Sequence, residues 1–400
     1  MIIDWSGRAH NYTNGELEYL KNVIKKADPL TQGKYLKKFE NNFSKYLKVN
    51  KDNVYAMSSA AASLEIIAAL LQIKKNDEII IPAHTYCATA IPFLRNGAKI
   101  IWADIDFKNR VVDFEDVKRK ITKKTKAIII VHLYGYACNI LPFLKLCKKK
   151  KIKIIEDCAQ ALGAKLNNKN VGTFGDFSCF SFHAQKNITT LGEGGMLYVR
   201  DKRLSRKVKG LRHNGHSSFN QNRKKYWKPA MVNVDIDLKN QLPFKFTLSE
   251  IQCAAGILLL KRLDSLNDIR IKRAEKFIKS LKNFKELDFN ANFEKRRHVY
   301  HLLTAYFKPY KKVSRDSLIT ILYKKFKIKS IIQFYPLYRY PLFKKMNNYK
   351  NVNCNFTEKF YDNMISFPFH VWMSEKKFNY LIQSTKKALK ILRKKEKFVF

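Results

Sequence analysis

The most informative stretch of the chain runs from residue 154 to 195. An apolar run, Ile154-Ile155, ends in the acids Glu156-Asp157 and continues through Cys158-Ala159 to Gln160. Two glycines follow in Gly172-Thr173-Phe174-Gly175-Asp176. A second apolar run then breaks into Phe180-Ser181-Phe182-His183-Ala184-Gln185-Lys186-Asn187, and the segment closes on Gly192-Glu193-Gly194-Gly195. An acid at one strand end, a hydroxyl and an amine at the next, and a glycine-rich return are the parts of a site that works through an imine. The amine attacks a carbonyl only after losing its charge, which desolvation or a cationic neighbourhood arranges. The acid keeps a pyridine nitrogen protonated so that the ring accepts electrons, and small polar residues hold a phosphate; pyridoxal phosphate (PLP) is the cofactor with those needs. Taken singly, these residues say little. A lysine after a strand is commonly solvated, and an aspartate there commonly caps a helix. The order of the whole set carries the reading.

Side chains in that order need strands to carry them. Apolar, often β-branched runs over 54–57, 78–82, 99–102, 127–131, 153–156, 179–182 and 196–199 alternate with helical patterns over 62–71, 88–96, 114–121 and 141–149. The alternation predicts a mainly parallel sheet covered by helices on both faces. Ligands in such α/β folds collect beyond the carboxyl ends of the strands, where Asp157, Ser181 and Lys186 fall. A second regime begins near Phe246. Residues 248–284 are helical in period, with Leu258, Leu259, Leu260, Leu263 and Leu266 on the apolar faces. Beyond Phe289, short strands at 299–307 and 328–332 mix with two helical patterns and a basic tail. The expected division is a large domain over 1–255, including an N-terminal segment, and a smaller α+β domain over 256–400.

Four hundred residues are enough for two well-buried domains. The formal net charge of +45, from 78 Lys and Arg against 33 Asp and Glu, raises the question of a nucleic-acid partner. Lysine dominates the excess, alongside abundant Ile, Asn, Phe and Tyr, all residues with A/T-rich codons. The charge is spread along the chain and not gathered into an arm or stripe. Runs at 148–151 and 393–397 each read as a solvated helix face or a tail, with a diffuse attraction for anionic nucleotide-sugars as a by-product. The seven cysteines are scattered, odd in number and never spaced Cys-x-x-Cys, which suits reduced thiols in a cytoplasmic protein. The nine histidines lack metal spacing, so no metal site is expected. Met1-Ile2-Ile3 is followed at once by Asp4, unlike a secretion leader, and the most apolar stretch, 127–144, is interrupted by His132, Asn139 and Pro142. Neither suits membrane insertion.

Further motifs extend the pattern: Leu30-Thr31-Gln32-Gly33, Phe39-Glu40, Ser58-Ser59-Ala60-Ala61-Ala62-Ser63-Leu64 and Pro82-Ala83-His84-Thr85-Tyr86-Cys87-Ala88-Thr89. Val131-His132-Leu133-Tyr134-Gly135 and Ser249-Glu250-Ile251-Gln252-Cys253-Ala254-Ala255-Gly256 complete it. With the 156–195 segment, these motifs make the chain resemble the DegT/DnrJ/StrS family of PLP-dependent nucleotide-sugar aminotransferases, from about residue 30 to 381. The resemblance implies PLP fold type I, like aspartate aminotransferase, and homodimers with active sites at the subunit boundary. It makes Lys186 the Schiff-base lysine and the acid-base that moves the proton. Asp157 would bind the pyridine nitrogen, Gln160 would lie at the ring-hydroxyl side, and Tyr86 would stack on the ring. Ser181 and the backbone N–H groups of Ala60 and Ala61 would bind the phosphate. Lys245 stands where family members place a residue that reaches the neighbouring subunit's phosphate. His132 and Asp104 read as structural, and Tyr335, Tyr338 and His370 as equally a sugar pocket or packing.

The chain departs from the family pattern at Ala60-Ala61, where Gly-Thr is usual, which removes a hydroxyl from the phosphate site. It departs also at Arg212-His213-Asn214-Gly215 and Thr247. The expected activity is transfer of an amino group, with glutamate as donor, to a nucleotide-linked 4-keto-6-deoxyhexose, giving a 4-amino sugar for a surface glycan such as lipopolysaccharide. Three alternatives stand beside it: amination at C3, a non-catalytic homologue that binds PLP or sugar, and a nucleic-acid-binding protein. The family's 3-dehydratases replace the lysine with histidine, and Lys186 argues against that chemistry.

Overall fold

The computed structural model describes residues 2–216, 227, 234–290, 295–346 and 352–397. Its first half alternates helices α1 (Asn14–Lys26), α2 (Lys34–Leu47), α3 (Ala60–Leu70), α4 (Ile91–Arg95), α5 (Phe114–Lys120), α6 (Leu141–Lys150) and α7 (Lys202–Arg212) with strands. The strands are β1 (Val54–Met57), β2 (Glu78–Pro82), β3 (Lys99–Ala103), β4 (Thr125–Val131), β5 (Lys153–Asp157), the small hairpin β6 (Lys165–Leu166) and β7 (Lys169–Asn170), then β8 (Phe177–Ser181) and β9 (Gly195–Val199). Seven of them form one sheet in the order β1-β9-β8-β5-β4-β2-β3. From β8 to β3 every pairing is parallel, while β9 runs antiparallel to both β1 and β8. Ile79, Ile80 and Ile81 in β2 and Ile128, Ile129 and Ile130 in β4 are fully buried. Burial on both faces explains why these strands read as unbroken apolar runs.

The sheet therefore sends the ends of β5, β4 and β8 to the same edge, and the chemistry-bearing loops follow them. The capping at this edge is local. Ser59 caps α3 by accepting the Ala62 N–H at 3.0 Å. Ser249 and Gln252 form a capping box at the start of α8 (Glu250–Ser280). The buried Glu250 carboxylate accepts N–H groups from Gly33, Tyr35 and Leu36 at 2.7–3.1 Å and so anchors the start of α2. A Cβ on Gly33 would sit 2.7 Å from that carboxylate, which is why a glycine stands there.

Helix α8 joins two cores. Its Leu263 belongs to the core of the large sheet, whereas Ala274 and Phe277 belong to a second core. That second core lies on β10 (Leu287–Phe289), β12 (Leu303–Phe307) and β13 (Met364–Phe367), with β11 (Arg296–Arg297) pairing instead with the β6–β7 hairpin. Helices α9 (Arg315–Phe326), α10 (Pro341–Met346), α11 (Asn355–Asn363) and α12 (Glu375–Lys397) complete the chain. Ile3 belongs to this second core too, through paired hydrogen bonds with the backbone of Lys327 and Lys329. No helix among the described residues is long and apolar enough to cross a membrane.

Three expected elements differ. The strand expected over 299–307 is confined to Leu303–Phe307, because Val299 and Leu302 donate instead to the carbonyls of Gly135 and Tyr134. Residues 328–332 form no strand; Ile328 and Ile331 make single bridges to Ile3 and Ser366. The helix expected over 88–96 divides into a short 3₁₀ turn, Cys87–Thr89, and α4, with Pro92 in the first turn of the latter. Proline fits a first helical turn but not an interior.

Candidate active site

A cavity of about 710 Å³ opens at the carboxyl edge of the large sheet. Residues 59–61, Tyr86, Asp157, Gln160, Ser181 and Lys186 line it, together with the N-terminal residues 4–6, Arg8 and Ala9, Arg270 of α8 and residues further along the chain such as His301, Phe334 and His370. Seven of the eight residues expected to serve the cofactor are thus brought to one place.

Asp157 ends β5 and is almost completely buried. Its Oδ2 accepts the Thr89 hydroxyl at 2.9 Å and its Oδ1 accepts the Ala159 N–H at 3.0 Å, which fixes the carboxylate plane at the cavity wall. Three residues on, Gln160 Oε1 accepts the Tyr134 N–H at 2.8 Å, which fixes the amide at the cavity wall. The neighbouring Glu156 points the other way. It accepts N–H groups from Gly172, Phe174 and Gly175 and meets His132 Nε2 at 3.0 Å. That single carboxylate organises the glycine loop before β8, and it accounts for the acid pair: one residue builds the scaffold and the other faces the cavity. Cys158 brings a third ligand-type atom within 4.8 Å of His132 and Glu156, but the Glu156 oxygens are already saturated by these hydrogen bonds.

Lys186 lies on the loop after β8. Burial lowers its ammonium to about 8, against the opposing pull of Asp157, Glu193 and Cys179. The loop is pinned on both sides. His10 Nε2 lies 2.9 Å from the Lys186 carbonyl, the Lys186 N–H donates to the His183 carbonyl, and Asn187 Nδ2 donates to Asn267 Oδ1 at 2.9 Å. Thr189 and Thr190 both donate to the Phe182 carbonyl.

The phosphate end is equally local. With Ser59 satisfying Ala62, the N–H groups of Ala60 and Ala61 remain at the positive end of α3, beside Ser181 at the end of β8. Such a helix start binds an anion through its backbone. Gly195 permits the approach: a Cβ there would lie 2.4 Å from the Ser59 carbonyl carbon and 2.7 Å from the Ala60 nitrogen. A cradle for an anion, a fixed acid and a desolvated lysine around one cavity fit PLP.

Tyr86 stands at the rim, 58% exposed and edge-on to Phe334. Lys245 does not line the cavity; it is exposed and pairs with His213 through a backbone bridge. Burial and the Lys245 charge together lower His213. Asp104 accepts from Phe356 and Thr357 at 2.7–2.9 Å, tying the large sheet to α11 as a structural residue would. Tyr338 bonds to Glu358, whereas His370 lines the cavity. Sequence reasoning missed His10, Thr89, Arg270 and His301. Thr89 lay within a quoted motif; the others come from segments whose proximity only the tertiary fold reveals.

Comparison with known proteins agrees with this geometry. The model of the DegT/DnrJ/EryC1/StrS aminotransferase family matches residues 11–386. The chain is 32% identical over 334 residues to GDP-perosamine synthase from Vibrio cholerae, covering 83% of this chain and 85% of that protein. It is 40% identical over 158 residues to UDP-N-acetyl-3-dehydro-alpha-D-glucosamine 3-aminotransferase from Acidithiobacillus ferrooxidans, covering 40% and 43%. A solved structure described as a sugar aminotransferase, Spr1654 from Streptococcus pneumoniae in its PLP form, superposes with a TM-score of 0.85 at 25% identity, over 98% of this chain and 99% of that one.

Proposed function

Because this chain belongs to the DegT/DnrJ/EryC1/StrS aminotransferase family, we propose that it aminates C4 of a nucleotide-linked 4-keto-6-deoxyhexose. Glutamate is the proposed donor, and the product is a 4-amino sugar for a surface polysaccharide. The observation that carries the reading is that Lys186, the Asp157 carboxylate and the α3 N-terminus all line one cavity. The likeness to a GDP-perosamine synthase over most of both chains supports C4.

When bound, the cofactor supplies the electron sink that lets the donor's α-proton leave, and it carries the nitrogen between substrates. The chain's own residues do the rest. Lys186 Nζ takes the proton from the donor's α-carbon and, in the second half of the cycle, delivers one to C4 of the sugar. Asp157, held by Thr89 and Ala159, keeps the pyridine nitrogen protonated. Gln160 holds the ring-hydroxyl side, and Tyr86 covers the ring face. Ser181 and the Ala60 and Ala61 N–H groups hold the phosphate. Lys245, exposed and outside its own cavity, belongs in this reading to the partner's phosphate site in a homodimer. A cytoplasmic setting with reduced cysteines is part of the same reading.

The test is to incubate the protein with PLP, glutamate and either a nucleoside-diphosphate 4-keto-6-deoxyhexose or a nucleoside-diphosphate 3-keto sugar, and to locate the new nitrogen by NMR. A 4-amino product is expected. The high local identity to a C3 enzyme favours one second reading, for which a 3-keto sugar alone is aminated. Turnover of neither sugar overturns both readings.

A further inference from the structure

A second cavity, of about 600 Å³, lies at the opposite edge of the large sheet from Lys186. It opens between the end of α2, the β6–β7 hairpin and the end of β9, where Val199 pairs with Phe177 at the amino end of β8. Four cations line it: Lys48, Lys165, Lys169 and Arg200. None has a carboxylate partner among the described residues. Lys169 sits over the Phe174 ring at 4.7 Å, and the Arg200 guanidinium donates to backbone carbonyls. Asp264, the acid in the lining, is already engaged by Arg297 at 2.8 Å and by the Tyr46 hydroxyl at 3.1 Å. Lysines are common in this chain, but others face carboxylates, as Lys120 does Asp116 and Lys153 does Asp176. Like charges gathered around a concave wall focus their field on an anion.

Two amides in the same lining add a second demand. Asn53 is 5% exposed and Asn170 9%. Each donates its Nδ2 to a backbone carbonyl at 2.9 Å, that of Arg200 and that of Tyr46, which fixes the amide's orientation. Each Oδ1 is left buried without a partner. A buried acceptor in that state is costly, and a ligand that closes over this wall must bring donors. Cations call for a phosphate and amide oxygens for hydroxyl or amino groups. Sugar phosphates and nucleotides carry both.

Arg200 gives the pocket a route to the cofactor site. Its Nε and Nη2 donate to the carbonyls of Gly175 and Thr173 at 2.8 and 2.7 Å. The N–H groups of that glycine loop are held by Glu156, whose neighbour Asp157 faces the Lys186 cavity. Strand β9 makes a second link, with Tyr198 in this pocket and Gly195 at the α3 cradle, about 10 Å apart along one strand. A phosphate oxygen competes for Arg200 with a charge-assisted bond, stronger than a bond to a neutral carbonyl. The loop behind Asp157 is then loosened.

We infer that this pocket is a second ligand site, distinct from the Lys186 cavity, for a phosphate ester bearing hydroxyl or amino donors, and that its occupancy weakens the hold on PLP through Arg200. Binding there needs no turnover, so the test is independent of the amino-transfer reading.

PLP-loaded enzyme is titrated by calorimetry with glucose 1-phosphate, GMP and inorganic phosphate at physiological salt. Wild type is compared with a pocket variant, Lys48→Gln, Lys165→Gln and Lys169→Gln together. A charge control loses as many charges from α6, through Lys148→Gln, Lys149→Gln and Lys150→Gln. Wild type and charge control should bind one of the two esters alike, and the pocket variant at least about tenfold more weakly. The tighter ester tells sugar phosphate from nucleotide. Equal affinity in all three proteins places the ester elsewhere and overturns the inference. Equal loss in both variants reduces it to diffuse attraction by a basic chain and overturns it too, as does wild type that binds neither ester. Inorganic phosphate binding as tightly as either ester removes the role of the amides and overturns the class of ligand. The Kd for PLP, read from the visible band, should rise about fivefold or more when the ester is present. That rise is expected in wild type and charge control and not in the pocket variant; a Kd unchanged in all three overturns the coupling through Arg200.

Discussion

Lys186 decides the chemistry, and it responds to substitution and to pH in ways that packing alone would not. Lys186→Ala should retain the fold and lose turnover by at least about 100-fold, because the proton carrier is gone; steady-state assays on the variant, with circular dichroism as control, check it. The pH dependence follows from burial of the same amine. Lysine reacts as the neutral form, and its folded value is lowered to about 8, so the neutral fraction grows as pH rises through about 8 and not through the usual lysine range. The rate at which PLP-free protein takes up PLP should therefore rise between about pH 7 and 9 and then level. A rise continuing past pH 10 would mean that Lys186 is solvated. At this scale the sequence was informative where function is local. Asp157, Gln160, Ser181 and Lys186 follow strands that can be recognised, and the structure places all four in one cavity. Arg270 and His301 were illegible because an arginine in a lysine-rich helix and a histidine before a strand carry no mark of burial.

The elements that hold these residues are short, and their ends matter more than their lengths. Helix α3 begins at the phosphate cradle because Ser59 caps it and Gly195 lets β9 come close. Ser59→Ala should cost about 1 kcal/mol of stability, measurable by denaturant unfolding. Gly195→Ala should be worse for the cofactor, since its Cβ would press on backbone atoms at 2.4–2.7 Å that cannot move without shifting the helix start. A weaker PLP affinity is expected in titrations, and wild-type affinity would show that α3 does not form the cradle. The parallel strands were readable almost residue for residue because burial on both faces leaves a continuous apolar run. The segment 299–302 was not. Its apolar residues suit a strand, but Tyr300 takes a positive φ of 43° and its neighbours bond to Tyr134 and Gly135, a long-range demand that local pattern does not record.

At the scale of the whole molecule, α8 carries residues of both cores, and the cavity takes residues from each side of it. The proposed dimer adds a third contributor. If Lys245 serves the partner's site, Lys186→Ala and Lys245→Ala subunits are each impaired alone. Mixed after reversible dissociation, they should regain up to about one wild-type site in each hybrid dimer, since one subunit supplies the lysine and the other the reach. No recovery on mixing would place Lys245 outside the active site. Composition was least instructive here. The charge of +45 only raised the question of a polyanion, whereas the cavity and the family point to a small-molecule enzyme, because charge describes the surface and chemistry resides in the few residues that the strand ends bring together.

The central claim is that Lys186 and Asp157 form a working PLP site, and the visible absorbance spectrum tests it most directly. Purified protein mixed with PLP should show the yellow band of lysine-bound cofactor, and glutamate should bleach it as the nitrogen is handed over. A protein that gives no band, or a band that neither glutamate nor any other amino donor changes, would contradict the account.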